Sequence, residues 1–302
     1  MAFETEQSDH WYEWLTRLRH ANDPTELKSI SQDTARYAKR ILDAAQLSPG
    51  MKLLDVGTGD GLIAFAAIDL IGPTLKVVLT DVSAPLLQHV RKAAYAKRVW
   101  KQCEFLECSA EKLDEVADGS IDVVTTRSVL AYVTDKKKAM QEFHRVLKAG
   151  GRISIAEPVM RDEALANIAL QCLPPPPEHG LEEFMQLFYR WKAAQLPDTL
   201  EKMDACSMTN YSERDLLRYA QDSNFTDIHL ELHVDIRSAK KISWEVFCGG
   251  APHPLAPSLS QILNEQFTRR ERDSFEAILR PVIESYGTVA HERIAYLHAV
   301  KR

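Results

Sequence analysis

With 302 residues, 45% of them apolar and 26% charged, the chain is ordinary for a soluble globular protein, long for one domain and short for two. Its net charge of −6 argues against nucleic acid as the main partner, because phosphate binding wants a basic face. Five cysteines with no CxxC pair argue against a disulfide framework or a structural zinc site, and no metal is expected.

The opening "MAFETEQSDH" lacks the positive region and apolar core of a signal peptide. The longest apolar stretch, Leu62 to Ile71, carries Asp69 and is far too short to span a bilayer. A reduced, cytoplasmic protein is expected. "HWYEWLTRLRH" sets Trp11, Trp14, Leu15 and Leu18 at helical spacing, which predicts an amphipathic helix lying on the fold and compatible with a pocket wall.

Next comes "LLDVGTGDGLIA", residues 53–64, in which a buried strand runs into a glycine turn and then into good helix formers. That layout points free N–H groups of a helix start at a ligand. Strands and helices then alternate. "LKVVLTD" (75–81) reads as a strand, "SAPLLQHVRKAAYAK" (83–97) as a helix capped by Ser83, "CEFLEC" (103–108) and "SIDVVTTRS" (120–128) as strands. The helix "DKKKAMQEFHRVL" follows, its Lys136-Lys137-Lys138 run read as a solvated start and His144 as a surface residue, with Ala149-Gly150-Gly151 expected to end it. "GRISIAEP" is a further strand. Alternation of this kind means a parallel sheet covered by helices on both faces, with ligands at the carboxyl ends of its strands.

Residues 161–222 break the pattern, with helices interrupted by "PPPP" (174–177) and the aromatic segment "FMQLFYRWKAAQLP". "YSERDLLRYAQDSNF" carries capping-box spacing at Ser212 and Asp215, and "DIHLELHVDI" (227–236) reads as a strand. A second helical stretch, Ser258 to Tyr286, has the capping box Thr268 and Glu271 in its middle, and "ERIAYLHAV" ends the chain as a last strand. The expected division is a helical lid over 1–40, a core over 41–160, a helical cap insert over 161–222, a core strand over 223–236, a second cap insert over 237–289 and the last strand over 290–302.

The glycine turn suits two ligands. A dinucleotide site wants G-x-G-x-x-G, but here the glycines are Gly57, Gly59 and Gly61, with leucine at 62. Asp55 offers a pyrophosphate nothing and an ammonium group a partner. A ligand with an amino-acid head and a ribose fits better. From Lys52 to about Pro158 the ordered motifs resemble the class I S-adenosylmethionine-dependent methyltransferases, nearest the ubiquinone/menaquinone-biosynthesis and small-molecule types.

The resemblance implies a Rossmann-like α/β fold with a seven-stranded sheet whose last strand is antiparallel, and S-adenosylmethionine as cofactor, S-adenosylhomocysteine as product. It implies that Asp55, Gly57, Gly59 and Gly61 surround the methionine part, with Asp55 near its amino group. Asp81, ending the second strand, would accept hydrogen bonds from both ribose hydroxyls, and Val82 would lie against the adenine. Ser109 stands where the family commonly has an aspartate near the adenine amino group, followed by Ala110. Thr126 and Arg127 would face the methionine moiety and the incoming substrate.

Methyl transfer from a sulfonium is an in-line displacement that asks chiefly for alignment and dryness, so the chemistry forces no single catalytic residue. His179 and His253 are the candidate bases for a hydroxyl acceptor. Trp14, Tyr189, Trp191 and Trp244 are the candidate acceptor contacts, although aromatics in helical inserts are mostly core. The inserts are large enough to roof a pocket, which favours a small organic acceptor over protein, nucleic acid or membrane; a homodimer is compatible. Two alternatives remain: a trivalent-arsenic methyltransferase binding through Cys172, Cys206 and Cys248, and a non-catalytic S-adenosylmethionine-binding protein.

Overall fold

Along the first strands, alternate apolar residues serve opposite layers. Leu53, Val77, Leu79 and Val123 belong to one core cluster, and Leu54, Val78 and Val124 to another. A strand of period two with both faces apolar has to be covered on both sides. The computed structural model describes residues 8–173, 181–289 and 291–302.

In chain order the N-terminal segment forms α1 (His10–Thr16) and α2 (Pro24–Ala45). The alternating part follows: β1 (Lys52–Val56), α3 (Leu62–Ile71), β2 (Lys76–Asp81), α4 (Ala84–Ala96), β3 (Cys103–Glu107), β4 (Ile121–Arg127), α5 (Lys136–Val146) and β5 (Leu147–Pro158). The first insert gives α6 (Arg161–Leu170), α7 (Leu181–Gln195), α8 (Leu200–Ala205) and α9 (Glu213–Asp222), and leads to β6 (Phe225–Ile236). The second gives α10 (Trp244–Gly249), α11 (Leu259–Glu265) and α12 (Arg269–Tyr286) before β7 (His291–Lys301).

The strands make one seven-stranded sheet in the order β3-β2-β1-β4-β5-β7-β6. β1 to β5 are parallel neighbours, and β7 lies antiparallel between β5 and β6. The expected sheet with an antiparallel last strand is the one found. Residues of α2, α3 and α4 fill one face, around Ile41, Phe65, Ile68 and Val90; α5 and α9 fill the other, around Met140, Phe143, Leu216 and Ala220.

Four local features differ from expectation, each for a packing reason. The helix ends at Val146 rather than at the glycines, because Leu147 already pairs with Ile121, and Gly150 (φ +78°) sits in a bulge where the register shifts. α2 crosses residue 40 and buries Ala38, Ile41, Leu42 and Ala45 in the sheet core, so the boundary expected at residue 40 falls inside a core helix. α9, within the span expected as cap, is a core helix. Lys136 is not solvated at all. It is 3% exposed, donates to the carbonyls of Val133 and Ser207 and to Asn210, and lies over the Tyr211 ring, tying α5 to the first insert.

The two inserts share one core: Leu187 and Trp191 of α7 pack with Trp244, Ile262, Phe267, Phe275 and Ile283. Among the described residues no helix is long and apolar enough to cross a membrane. Because Phe143 is wholly buried beneath the sheet, Phe143→Ala should cost about 3–5 kcal/mol in chemical denaturation. Ile236→Ala, on the exposed end of β6, should stay within about 0.5 kcal/mol.

Candidate active site

The turn after β1 is fixed by its backbone. Thr58 N–H donates to the Thr80 carbonyl at 2.8 Å and Gly61 N–H to the Thr58 carbonyl at 2.9 Å. Gly57 and Gly61 hold left-handed conformations, with φ +62° and +82°. A methyl at Gly57 would run into Val129, and one at Gly61 would come within 2.5 Å of Phe65 and 2.6 Å of Val90. Only glycine allows this close approach. Gly57 and Gly59 line a cavity of about 540 Å³ at the carboxyl ends of the strands, well within the range of small-molecule sites (~300–1,000 Å³).

Asp81, Val82, Cys108, Ser109 and Ala110 form one wall of that cavity. Asp81 ends β2 with its carboxylate turned into the neighbouring turns, accepting from Gly59 N–H at 2.9 Å and Ser83 N–H at 3.0 Å. Burial raises its pKa in spite of those donors. Val82 beside it is 52% exposed, an apolar side chain at the cavity's edge. Ser83 caps α4 through Leu86 N–H, leaving Asp81 free of that duty.

Asp55 sits behind the turn rather than in the cavity wall. Its two oxygens accept from Thr58 Oγ1 at 2.8 Å and Thr125 Oγ1 at 2.9 Å, and burial pushes its carboxyl up to about 6. Gly61 is likewise set back. Thr126 is fully buried and gives its hydroxyl to Glu157 at 2.6 Å, whereas its neighbour Arg127 lines the cavity.

Glu157 was not among the residues singled out from the sequence. It lies next to the end of β5, wholly buried, and accepts from Thr126 Oγ1, from Val129 N–H at 2.9 Å and from Ala131 N–H at 3.4 Å. It thereby fixes the loop that carries Val129 and Tyr132 to the cavity. Burial pushes its carboxyl up to about 7. The available signal was an acid closing the apolar run "ISIAE", the same pattern that pointed to Asp81.

Above the strand ends, α1 and the turn after it contribute Trp11, Trp14, Leu15 and Arg19. Trp11 meets Tyr132 edge to face at 5.0 Å between ring centres. Trp14 Nε1 donates to the Ala251 carbonyl at 3.0 Å, joining this lid to the second insert. Arg19 lies over the Trp14 ring at 5.3 Å. Burial first, and then the charge of Arg127, bring the Arg19 pKa down to about 10.

Besides Glu163 on α6, the cap reaches the cavity through connecting residues, among them Leu196, Pro252 and His253. His253 is 3% exposed, and its Nε2 lies 2.7 Å from the Gln195 carbonyl, so Nε2 carries the proton. Nδ1 is then the bare nitrogen, sealed from solvent and without a hydrogen-bond partner among the described residues, and burial lowers the ring's pKa. Acting as a base would require the ring to turn. Trp191 and Trp244 belong to the cap core and Tyr189 lies on α7, all three outside the cavity lining. Trp191 and Trp244 serve packing within the cap. His179 and the "PPPP" run lie outside the described residues.

Cys172 is exposed at the end of α6, Cys206 follows α8 and Cys248 is buried in the cap core. Among the described residues no three His, Cys, Asp or Glu side chains gather as a metal site. The cysteine in the cavity wall is Cys108, whose thiol burial pushes up to about 11.

A family described as a methyltransferase domain matches residues 47–209, more than half of the chain. The chain is 35% identical over 129 residues to the ubiquinone/menaquinone biosynthesis C-methyltransferase UbiE of Hahella chejuensis, covering 42% of this chain and 51% of that protein. It is 38% identical over 131 residues to the protein of the same name from Ectopseudomonas mendocina, covering 42% and 50%. The chain thus spans about half the length of these curated relatives. Among solved structures, the YcgJ protein of Bacillus subtilis superposes with a TM-score of 0.55 at 18% identity, covering 88% of this chain and 98% of that one. A geranyl diphosphate methyltransferase solved with S-adenosylmethionine gives a TM-score of 0.51 at 15% identity, covering 93% of each chain. These two likenesses establish the fold.

The buried carboxyl of Glu157 makes stability depend on pH. Unfolded, it would lose its proton near ~4.3; folded, it keeps it to about 7. The native state therefore binds more protons across that window, and stability falls as pH rises through it. Glu157→Gln should flatten the fall between about pH 5 and 7, by at most about 1.4 kcal/mol per pH unit for one proton. Urea denaturation at a series of pH values measures the slope; an unchanged slope would reassign the effect to Asp55.

Proposed function

The chain belongs to the methyltransferase-domain family as a class I S-adenosylmethionine-dependent enzyme, and we propose that it methylates a small organic molecule enclosed between the strand ends, the N-terminal lid and the cap. The observation that carries this reading is the join of a glycine turn to an acid-ended second strand in the wall of one cavity. Asp81 accepts one hydrogen bond at each oxygen, from Gly59 and Ser83, and keeps acceptor capacity for a ribose diol. Val82 and Ala110 offer apolar contact to a purine, and Ser109 a hydroxyl at its edge. Gly57 and Gly59 offer bare cavity-lining backbone to the amino-acid part, and Asp55 acts on it through the turn rather than by touching it.

Bound S-adenosylmethionine supplies an electrophilic methyl group. The chain's own residues bind, align and keep the site dry: Trp11, Trp14 and Leu15 cover the turn, and Tyr132 is held in place through Glu157. Alignment and water exclusion are the main sources of rate for such a displacement. The relatives' name speaks of C-methylation in quinone biosynthesis, but a match over 42% of this chain carries the cofactor chemistry rather than their acceptor.

Asp81→Ala should weaken S-adenosylmethionine by about 1.5–3 kcal/mol, the range for hydrogen bonds to a charged group. Calorimetric titration of both proteins, with circular dichroism as a check on folding, decides it. A wild type that prefers a nicotinamide dinucleotide would end this reading. A screen of phenols, quinones, amines and heterocycles with labelled cofactor then identifies the acceptor; label appearing only on protein or RNA would rule out the enclosed pocket.

A further inference from the structure

Most charged groups around the cavity already have partners. Arg293 is paired with Glu163 at 3.2 Å and Asp162 at 3.6 Å. Glu292 accepts from Arg237 at 2.6 Å and from Tyr37. Glu111 accepts from the Asp135 N–H, and Asp81 from two backbone N–H groups. Arg19 and Arg127 differ. Both line the cavity, from the N-terminal segment and the end of β4, and among the described residues neither has a carboxylate within ion-pair distance. Arg19 lies over the Trp14 ring instead.

We propose that Arg19 and Arg127 form an anion-recognition pair inside the cavity, so that the methyl acceptor carries a carboxylate or a phosphate. The proposal rests on the methyltransferase reading given above. Two guanidiniums near enough for one to depress the other repel, and in a half-buried cavity that repulsion is poorly screened. The nearby groups that favour a charged Arg19 are Asp60, which is exposed, and the hydroxyls of Tyr37 and Tyr132.

The cofactor does not cancel this charge. S-adenosylmethionine has a sulfonium and an ammonium against a single carboxylate, so loading leaves the site more positive than before. Even if its carboxylate took one guanidinium, the other would still have no carboxylate within ion-pair distance among the described residues. An acceptor bearing an anion restores balance, and the planar fork of arginine is suited to carboxylate and phosphate alike.

The test uses the full chain saturated with S-adenosylhomocysteine. Calorimetry compares matched probes: benzoate with benzamide, 4-phenylbutyrate with its amide, and phenyl phosphate with phenol. At least one anion should bind about tenfold or more tighter than its neutral partner. Arg19→Gln and Arg127→Gln should each remove that preference, and Arg19→Gln should do so while moving S-adenosylhomocysteine affinity less than about threefold. The carboxylate and phosphate arms show which anion is preferred. No preference in the wild type, or a preference that survives both substitutions, overturns the proposal. A loss of about tenfold in S-adenosylhomocysteine affinity in both variants also overturns it, assigning the pair to the cofactor's carboxylate. A wild type that fails to bind S-adenosylhomocysteine at all is a different result: it removes the methyltransferase reading and this proposal with it.

Discussion

Three carboxylates at or beside the ends of parallel strands hold the cavity open. Asp55 joins β1 to β4 through Thr125, and to its own turn through Thr58. Asp81 joins β2 to the turn of β1 through Gly59. Glu157 joins β5 to β4 through Thr126 and to the following loop through Val129 and Ala131. In the order β2-β1-β4-β5, each neighbouring pair is stitched by one acid at the end that opens on the cavity. A buried carboxylate without partners costs several kcal/mol, so each needs these donors, and meeting that need fixes the loops. All three acids are pushed up by burial in spite of their hydrogen bonds, the balance expected when desolvation outweighs donors that are mostly neutral.

The cap obeys a different constraint. Its helices come from two inserts separated by α9 and β6, and each insert alone would leave an apolar face uncovered. Trp191 settles the matter: it meets Phe188, Phe247 and Phe275 edge to face, so one side chain joins α7 to α10 and α12. The lid is tied to this body rather than to the sheet alone, through Trp14 to Ala251 and Ala251 to the Leu18 carbonyl.

What the sequence made legible was the part held by local rules. Apolar runs of period two, the glycine turn and the Ser83 cap are read within a few residues, and they set β1, β2, α4 and the place of Asp81. Lys136 was misread because the carbonyls that bury it, at Val133 and Ser207, include one brought in from a distant insert. The aromatic stripe of α7 was ambiguous by nature, since a core and a pocket wall both want large apolar side chains at helical spacing. Glu157 carried the same local signal as Asp81, but nothing nearby in sequence showed that its donors would come from the loop after β4.

The same distinction separates the two halves of the cavity. The proposed cofactor side is built from contiguous turns, where one substitution would disturb both a ligand contact and the backbone that makes it. The proposed acceptor side is lined by Arg19, Arg127, His253 and Arg293, which come from the N-terminal turn, a strand end, a cap connection and the last strand. The cap core meets its own packing needs without them: Phe275, Ile262 and Trp191 are buried among one another, while Leu196, Pro252 and His253 reach the cavity from the connections between helices. Shape and charge on that side can therefore change without unfolding the roof, whereas the strand-end acids cannot change without loosening the floor. A fold so divided keeps one reaction and lets the acceptor vary, which is how function comes to reside in a site rather than in its scaffold.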